Sequence, residues 1–176
     1  PKEQKDFRDR RLIKDLQAYE KVIVEYFPTK KKVVFVMGKG EVKVDEAPSL
    51  PGKLQIDQQQ VHQYLTHLLL FGYIEDFLFE EMTEKDMEKE QIIAKLAIVR
   101  GQDSKEFLFS KIGQKRELAF EKVVSPDGKT LFKKYEIKRV FFSEERRKRE
   151  QSYLDLFERC DLLICRGYIY NVERKS

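Results

Sequence analysis

Residues 29–37 read "TKKKVVFVM" and run straight into "GKG" at 38–40. How this stretch is read decides the fold. Val33, Val34 and Val36 favour a strand, because side chains branched at Cβ pack well on a pleated surface and lose rotamer freedom in a helix. Thr29, just after Pro28, is equally an N-cap residue, and Gly38 is the type of residue that closes a helix in the left-handed conformation. With a strand, Gly38–Lys39–Gly40 is a plain turn. With a helix, it is a C-cap.

Outward from here the chain alternates helical and extended patterns. Before it, residues 7–26 carry Leu12, Leu16, Tyr19 and Ile23 at helical spacing, and Pro28 stops the run. After it, residues 44–56 hold Pro48, Pro51 and Gly52 and read as a loop. Residues 57–71, "DQQQVHQYLTHLLLF", are the clearest helix. Asp57 caps it with Gln60 three residues on, and Val61, Tyr64, Leu65, Leu68 and Leu69 form one apolar stripe. Gly72 ends it. Two β-rich runs, Tyr73–Phe79 and Gln91–Val99, flank the polar "EEMTEKDMEKE" and read as a long hairpin.

Residues 103–112 read as a short helix capped by Asp103 or Ser104. Residues 117–124 read as a strand, "SPDG" (125–128) as a turn, and 129–142 as a strand pairing back. Ser143, with Glu144 and Glu145 in the first turn, opens a final helix. Its stripe is Tyr153, Leu156, Phe157, Cys160, Leu163 and Ile164, with Gly167 at its end and "YIYNV" as a last strand. This repeats the helix–Gly–Tyr–Ile ending of 57–74.

Composition bounds the class. The chain has 176 residues, 41% hydrophobic and 38% charged, and a net charge of +4. That is enough apolar content for a core, in one domain or two small ones. The basic excess lies in residues 111–176, which is compatible with nucleic acid. Cys160 and Cys165 are too few for a four-cysteine zinc site, and on one helix they are poorly placed to bridge. They read as buried reduced thiols of a reducing compartment. No run approaches the about 20 apolar residues of a membrane span. The start, "PKEQKDFRDRR", lacks the apolar core of a signal peptide, so the chain is expected to be a piece of something longer.

The ordered set "FVMGKGEVKV", "LPGK", "QQQVHQYLTHLLLFGYIED", "IIAKLAIVRG" and "DSKEFLF" resembles the RQC winged-helix domain of RecQ-family DNA helicases over residues 10–120. The resemblance implies that residues 29–37 are a helix ending in the Met-Gly-Lys-Gly turn. It implies an α+β winged helix, a helix-turn-helix with a long β-hairpin wing, over residues 7–120. Residues 121–176 are then a hairpin-helix-strand extension, compatible with a second winged-helix-like unit. The function implied is duplex or junction DNA binding, as the module of a RecQ-like ATP-dependent helicase in nuclear DNA repair or replication. The alternative is a tandem winged-helix protein-interaction subunit of a telomere or transcription complex, docking partners through the acidic wing or the C-terminal helix.

Candidate DNA-contacting residues are Lys30, Lys31, Lys32, Gly38, Lys39, Gly40, Lys43 and Lys53, together with Gln58 and Gln59 at the amino end of helix 57–71. At the wing tip, Met82 and Met87 are candidate wedges beside Lys85 and Lys89, although the tip carries more acid than base. A second basic cluster comprises "RRKRE" (146–150) with Lys133, Lys134, Lys138 and Arg139. No cofactor or metal is expected: His62 and His67 lie on different helix faces, and no GxxxxGK[ST] phosphate loop is present. No catalytic set of residues emerges, so any ATPase would belong to a longer parent.

Overall fold

The computed structural model describes residues 9–14, 18–48, 50, 52–144 and 147–167. The fold is β-rich, not a winged helix. Eight antiparallel strands form one sheet: β1 (Lys21–Tyr26), β2 (Lys31–Met37), β3 (Val42–Glu46), β4 (Ile74–Thr83), β5 (Ile92–Arg100), β6 (Asp103–Ile112), β7 (Arg116–Val124) and β8 (Thr130–Ile137). Their spatial order is β3-β2-β1-β5-β6-β7-β8-β4. A separate two-stranded ribbon, β9 (Val140–Glu144) with β10 (Arg147–Gln151), follows β8. Three helices complete the described chain: α1 (Gln58–Leu70), α2 (Glu84–Met87) and α3 (Asp155–Glu158).

Residues 31–37 are strand, which corrects the helix implied by the resemblance. β2 is sandwiched between β1, where Ile23 faces Val34, and β3, where Val36 faces Lys43. Val33 and Phe35 are buried on one face and Val34 on the other. A helix with a single apolar stripe could not bury successive residues in this way. Thr29 is spent in the turn, not in a cap. Residues 21–26, read from apolar spacing as the end of a helix over 7–26, are also strand: "KVIVEY" is a β-branched run buried at Val22 and Val24, and it pairs β5 as well as β2. Residues 103–112 are likewise strand, with Phe107 and Phe109 inward on alternate positions.

The helix of residues 57–71 does form. The Asp57 carboxylate accepts the Gln59 N–H at 2.9 Å, and Val61, Tyr64, Leu65, Leu68 and Leu69 are buried as the spacing requires. α1 lies on one face of the sheet and spans it edge to edge. At its start, the Gln58 side-chain amide accepts the Val42 N–H and donates to the Val42 carbonyl, pairing with edge strand β3 as a further strand would. Its far end turns through Gly72 into β4, the opposite edge. All eight strands feed one core around α1, among them Val42, Phe35, Val24, Leu96, Phe109, Ala119, Ile137 and Ile74. A helix about 10–12 Å wide covers only two or three flat strands spaced about 4.8 Å apart, so the sheet curls around it.

Two further segments close the core. Around residues 10–12, the Leu12 N–H donates to Gly72 O (2.8 Å) and the Ile74 N–H to Arg10 O (2.7 Å). From residue 152 onward the expected long helix is a single helical turn, α3, followed by further turns. Its apolar stripe is nevertheless real: Tyr153, Leu156, Phe157, Cys160 and Ile164 are buried. Tyr64 and Tyr153 hydroxyls donate to Leu156 O and Leu68 O, tying this cover to α1 from both sides. Residues 143–144 and 147–151, read as the start of that helix, instead belong to the two strands of the ribbon. The last strand expected at 168–172 lies outside the described residues.

The wing is also corrected. β4 and β5 exist, but they do not pair with each other. β4 joins β8, with Phe77 opposite Tyr135, and β5 joins β1 and β6. Four strand spacings, about 19 Å, separate them. The chain crosses this span over the outer face of the sheet, through α2. Thr83 and Asp86 form a reciprocal capping box there, and Met87 is buried against Leu118, Phe120 and Phe132. The sheet therefore has a second, smaller core on the face away from α1. Residue 120, the boundary read from sequence, lies inside β7, whose residues 117–120 are all buried.

Candidate nucleic-acid interface

The structure disperses the lysines expected to form a DNA face. Lys30 sits in the β1–β2 turn with φ +54°, while Lys39 is beyond the opposite end of β2, about 23 Å away for seven extended residues. Lys31 donates to Asp161 (2.9 Å) and Glu158 O (2.8 Å) and is largely buried. Lys32 pairs with Glu46 (3.5 Å) and Lys43 with Asp45 (3.8 Å). Gln58 is committed to the β3 edge, and Gln59 is exposed beside it. Lys53 is exposed in the loop ahead of α1.

Gly38–Lys39–Gly40 proves to be the β2–β3 turn. The Gly38 N–H donates to Glu41 O at 2.9 Å, and Gly40 has φ +74°, where a side chain would be strained. The turn borders a shallow cleft shared with His62 and Thr66 of α1. At the former wing tip, Met87 is core and Met82 is half-buried against it, so neither is free to wedge between bases. Lys85 and Lys89 are exposed near Glu81, Glu84 and Glu88 on the outer face.

The fold instead brings together a different basic end. The β6–β7 turn carries Lys111, Lys115 and Arg116, and β8 leaves the sheet beside it through Lys138 and Arg139. Glu117 is in register with both Lys111 and Ile137, so Lys111 and Lys138 lie two strands apart, about 10 Å. The Arg139 guanidinium donates to Gln114 O (3.0 Å), holding the root of the ribbon against that turn. Lys111, Lys115 and Lys138 are exposed and, among the described residues, have no ion-pair partner. Arg116 is held by Glu136 at 2.9 Å. The ribbon then adds Arg147, Lys148 and Arg149 along β10.

Beneath this end lies Glu117, fully buried. One carboxylate oxygen accepts the Leu154 N–H at 3.0 Å, and the other is 3.4 Å from Arg139. This single side chain ties together β7, the ribbon root and the segment that covers the core. The Cys160 thiol is buried beside Asp161. Desolvation first, then that neighbouring acid, push its pKa up to about 12, so it is no nucleophile at neutral pH. Cys165 is also a free buried thiol.

Sequence reading named Lys138, Arg139 and the 146–150 run but missed Lys111 and Lys115. The available signal was "IGQKRE" (112–117), a glycine-centred turn between β-rich runs, hidden because 103–112 was assigned to a helix. Among the described residues no three His, Cys, Asp or Glu side chains are grouped to hold a metal ion, and no helix is long and apolar enough to cross a membrane. Comparison with known proteins finds no matching family model, curated protein or solved structure.

Proposed function

We propose that this chain binds duplex nucleic acid, with the β9–β10 ribbon entering a groove and Lys111, Lys115 and Lys138 resting on the flanking phosphates. The observation that carries the reading is the ribbon itself. Among the described residues its two strands pair only with each other, as a sheet separate from the eight-stranded one, and it carries three consecutive basic residues. A two-stranded antiparallel ribbon is one of the few elements that fit the DNA major groove, about 12 Å across. Lys and Arg on the root and the adjacent turn supply the sequence-independent phosphate contacts that set register and most of the affinity. The charge balance agrees: residues 111–176 hold 17 Lys and Arg against 11 Asp and Glu, whereas the chain as a whole is only +4.

The test is fluorescence anisotropy with a short labelled duplex, comparing the wild type with Lys111→Glu/Lys115→Glu. Both side chains are exposed, so the variant should unfold at the same urea concentration as the wild type. Its affinity should fall by at least about tenfold, from two lost phosphate contacts and two new repulsions. Equal affinity of the two proteins would reject the reading.

A further inference from the structure

We propose that Glu117 is the positioning residue of the nucleic-acid face: its one carboxylate clamps both ends of the β9–β10 ribbon and so sets the angle at which the ribbon meets the duplex. The inference rests on the duplex-binding reading above and names what holds that site in register.

The ribbon leaves the sheet after Ile137, and the chain rejoins the core at Tyr153. Each end has an anchor of its own. The Lys138 N–H donates to Tyr73 O at 2.8 Å, and the Tyr153 hydroxyl donates to Leu68 O. These two contacts fix where the ribbon starts and finishes. They leave its tilt open, since rotation about the line joining two points stays free. Glu117 supplies the missing constraint. It stands on β7 in register with Ile137 and is fully buried. One of its oxygens accepts the N–H of Leu154, just past the exit, at 3.0 Å. The other lies 3.4 Å from the guanidinium of Arg139, just before the entry. The same guanidinium donates to Gln114 O at 3.0 Å, in the turn that carries Lys115. Entry, exit and phosphate-binding turn thus meet at one buried side chain.

Stability alone does not account for a charged pair here. Withdrawing both charges from water offsets most of their attraction, and an apolar pair of similar volume holds a core as well. An apolar pair has no directional bonds and cannot fix the tilt. Rigidity matters to a ribbon that enters a groove, because ordering it on binding would cost affinity.

The test separates tilt from stability. Glu117→Met/Arg139→Met removes one acid and one base, so net charge is unchanged, and it should unfold at a urea concentration close to that of the wild type. Lys111, Lys115 and Lys138 keep their places, so duplex binding should persist on about three phosphates. The slope of log Kobs against log salt should then shrink to about −2.7, from a wild-type value between about −3.5 and −4.5. Affinity at low salt should fall at least several-fold. Partial unfolding would scale the apparent affinity but leave the slope alone, so the slope reports position. Hydrogen exchange on the wild type, free and duplex-bound, is a second measurement that stands even if the double variant fails to fold. Duplex should slow exchange in the ribbon and at the Leu154 amide alike. An unchanged slope in the folded double variant, or protection of the ribbon without Leu154, would overturn the proposal. Either result fails this inference alone, whereas a wild type that binds no duplex fails the duplex-binding reading and this inference together.

Discussion

Replacing Glu117 with Ala should be among the most damaging single changes in this protein. The side chain is fully buried at the junction of β7, the ribbon root and the covering segment. Two losses follow. The Leu154 N–H loses a charge-assisted acceptor at 3.0 Å, worth about 1.5–3 kcal/mol. The Arg139 guanidinium, 3.4 Å away with its side chain only 19% exposed, loses an ion-pair partner. Removing one partner of such a pair costs about 3–5 kcal/mol in total. Arg139 keeps its bond to Gln114 O and some contact with water, which places the effect at about 3 kcal/mol. With a urea m-value of about 2 kcal/mol/M for a chain of this size, the unfolding midpoint should drop by about 1.5 M. Glu117→Gln keeps an oxygen for Leu154 and should fall between. Replacing Glu117 and Arg139 together with Met should recover most of the loss, since a well-packed apolar pair can match a buried ion pair. A Glu117→Ala midpoint within about 0.3 M of wild type would refute the junction described here.

Three further outcomes are expected. The Cys160 thiol should resist iodoacetamide at pH 8 in the native protein and react on unfolding, as followed by mass spectrometry. Its folded pKa of about 12 lies above the ordinary thiol value of 9.0, so the unfolded chain releases that proton first. Its contribution to stability is therefore complete below about pH 9 and lost at about 1.4 kcal/mol per pH unit above it, measurable by urea titration at pH 8, 9 and 10. Met87→Ala should destabilise the protein by about 2–3 kcal/mol, because Met87 plugs the outer-face core, whereas Lys85→Ala, at an exposed position two residues earlier in the same turn, should be nearly neutral in the same urea assay. Gln58→Ala should cost about 1–2 kcal/mol by loosening α1 from the β3 edge, and hydrogen exchange should quicken at the Val42 amide before the sheet centre.

What the sequence disclosed follows from the range of the interactions involved. α1 was legible because its signal is local: Asp57 at the cap, five apolar residues at helical spacing and Gly72 at the end all sit within one segment. The β7–β8 hairpin was legible for the same reason, since Ser125–Gly128 closes it with its own backbone bonds. β4 and β5 were found but mated wrongly, because pairing follows from where β8 and β1 lie, which no adjacent residues encode. β1 was lost where charged residues between apolar ones imitate helical spacing, β6 where Asp103 or Ser104 imitates a helix cap, and β2 where Thr29 and Gly38 imitate both ends of a helix. Lys31 and Glu106 show why: each finds its partner on another segment, Lys31 on Asp161 and Glu106 on Lys95 and Lys122. The resemblance then weighted residues 29–37 toward helix, against the valines that the sheet buries on both faces. The candidate basic end suffered in the same way. Lys138 and Arg139 were visible as a run, but their nearness to Lys111 and Lys115 depends on the β6–β7–β8 register.

The salt dependence of duplex binding tests the central claim most directly. If the ribbon and the β6–β7 turn neutralise four or five phosphates, a plot of log Kobs against log salt concentration should be linear, with a slope between about −3.5 and −4.5. A slope near zero, or no binding at low salt, would contradict it.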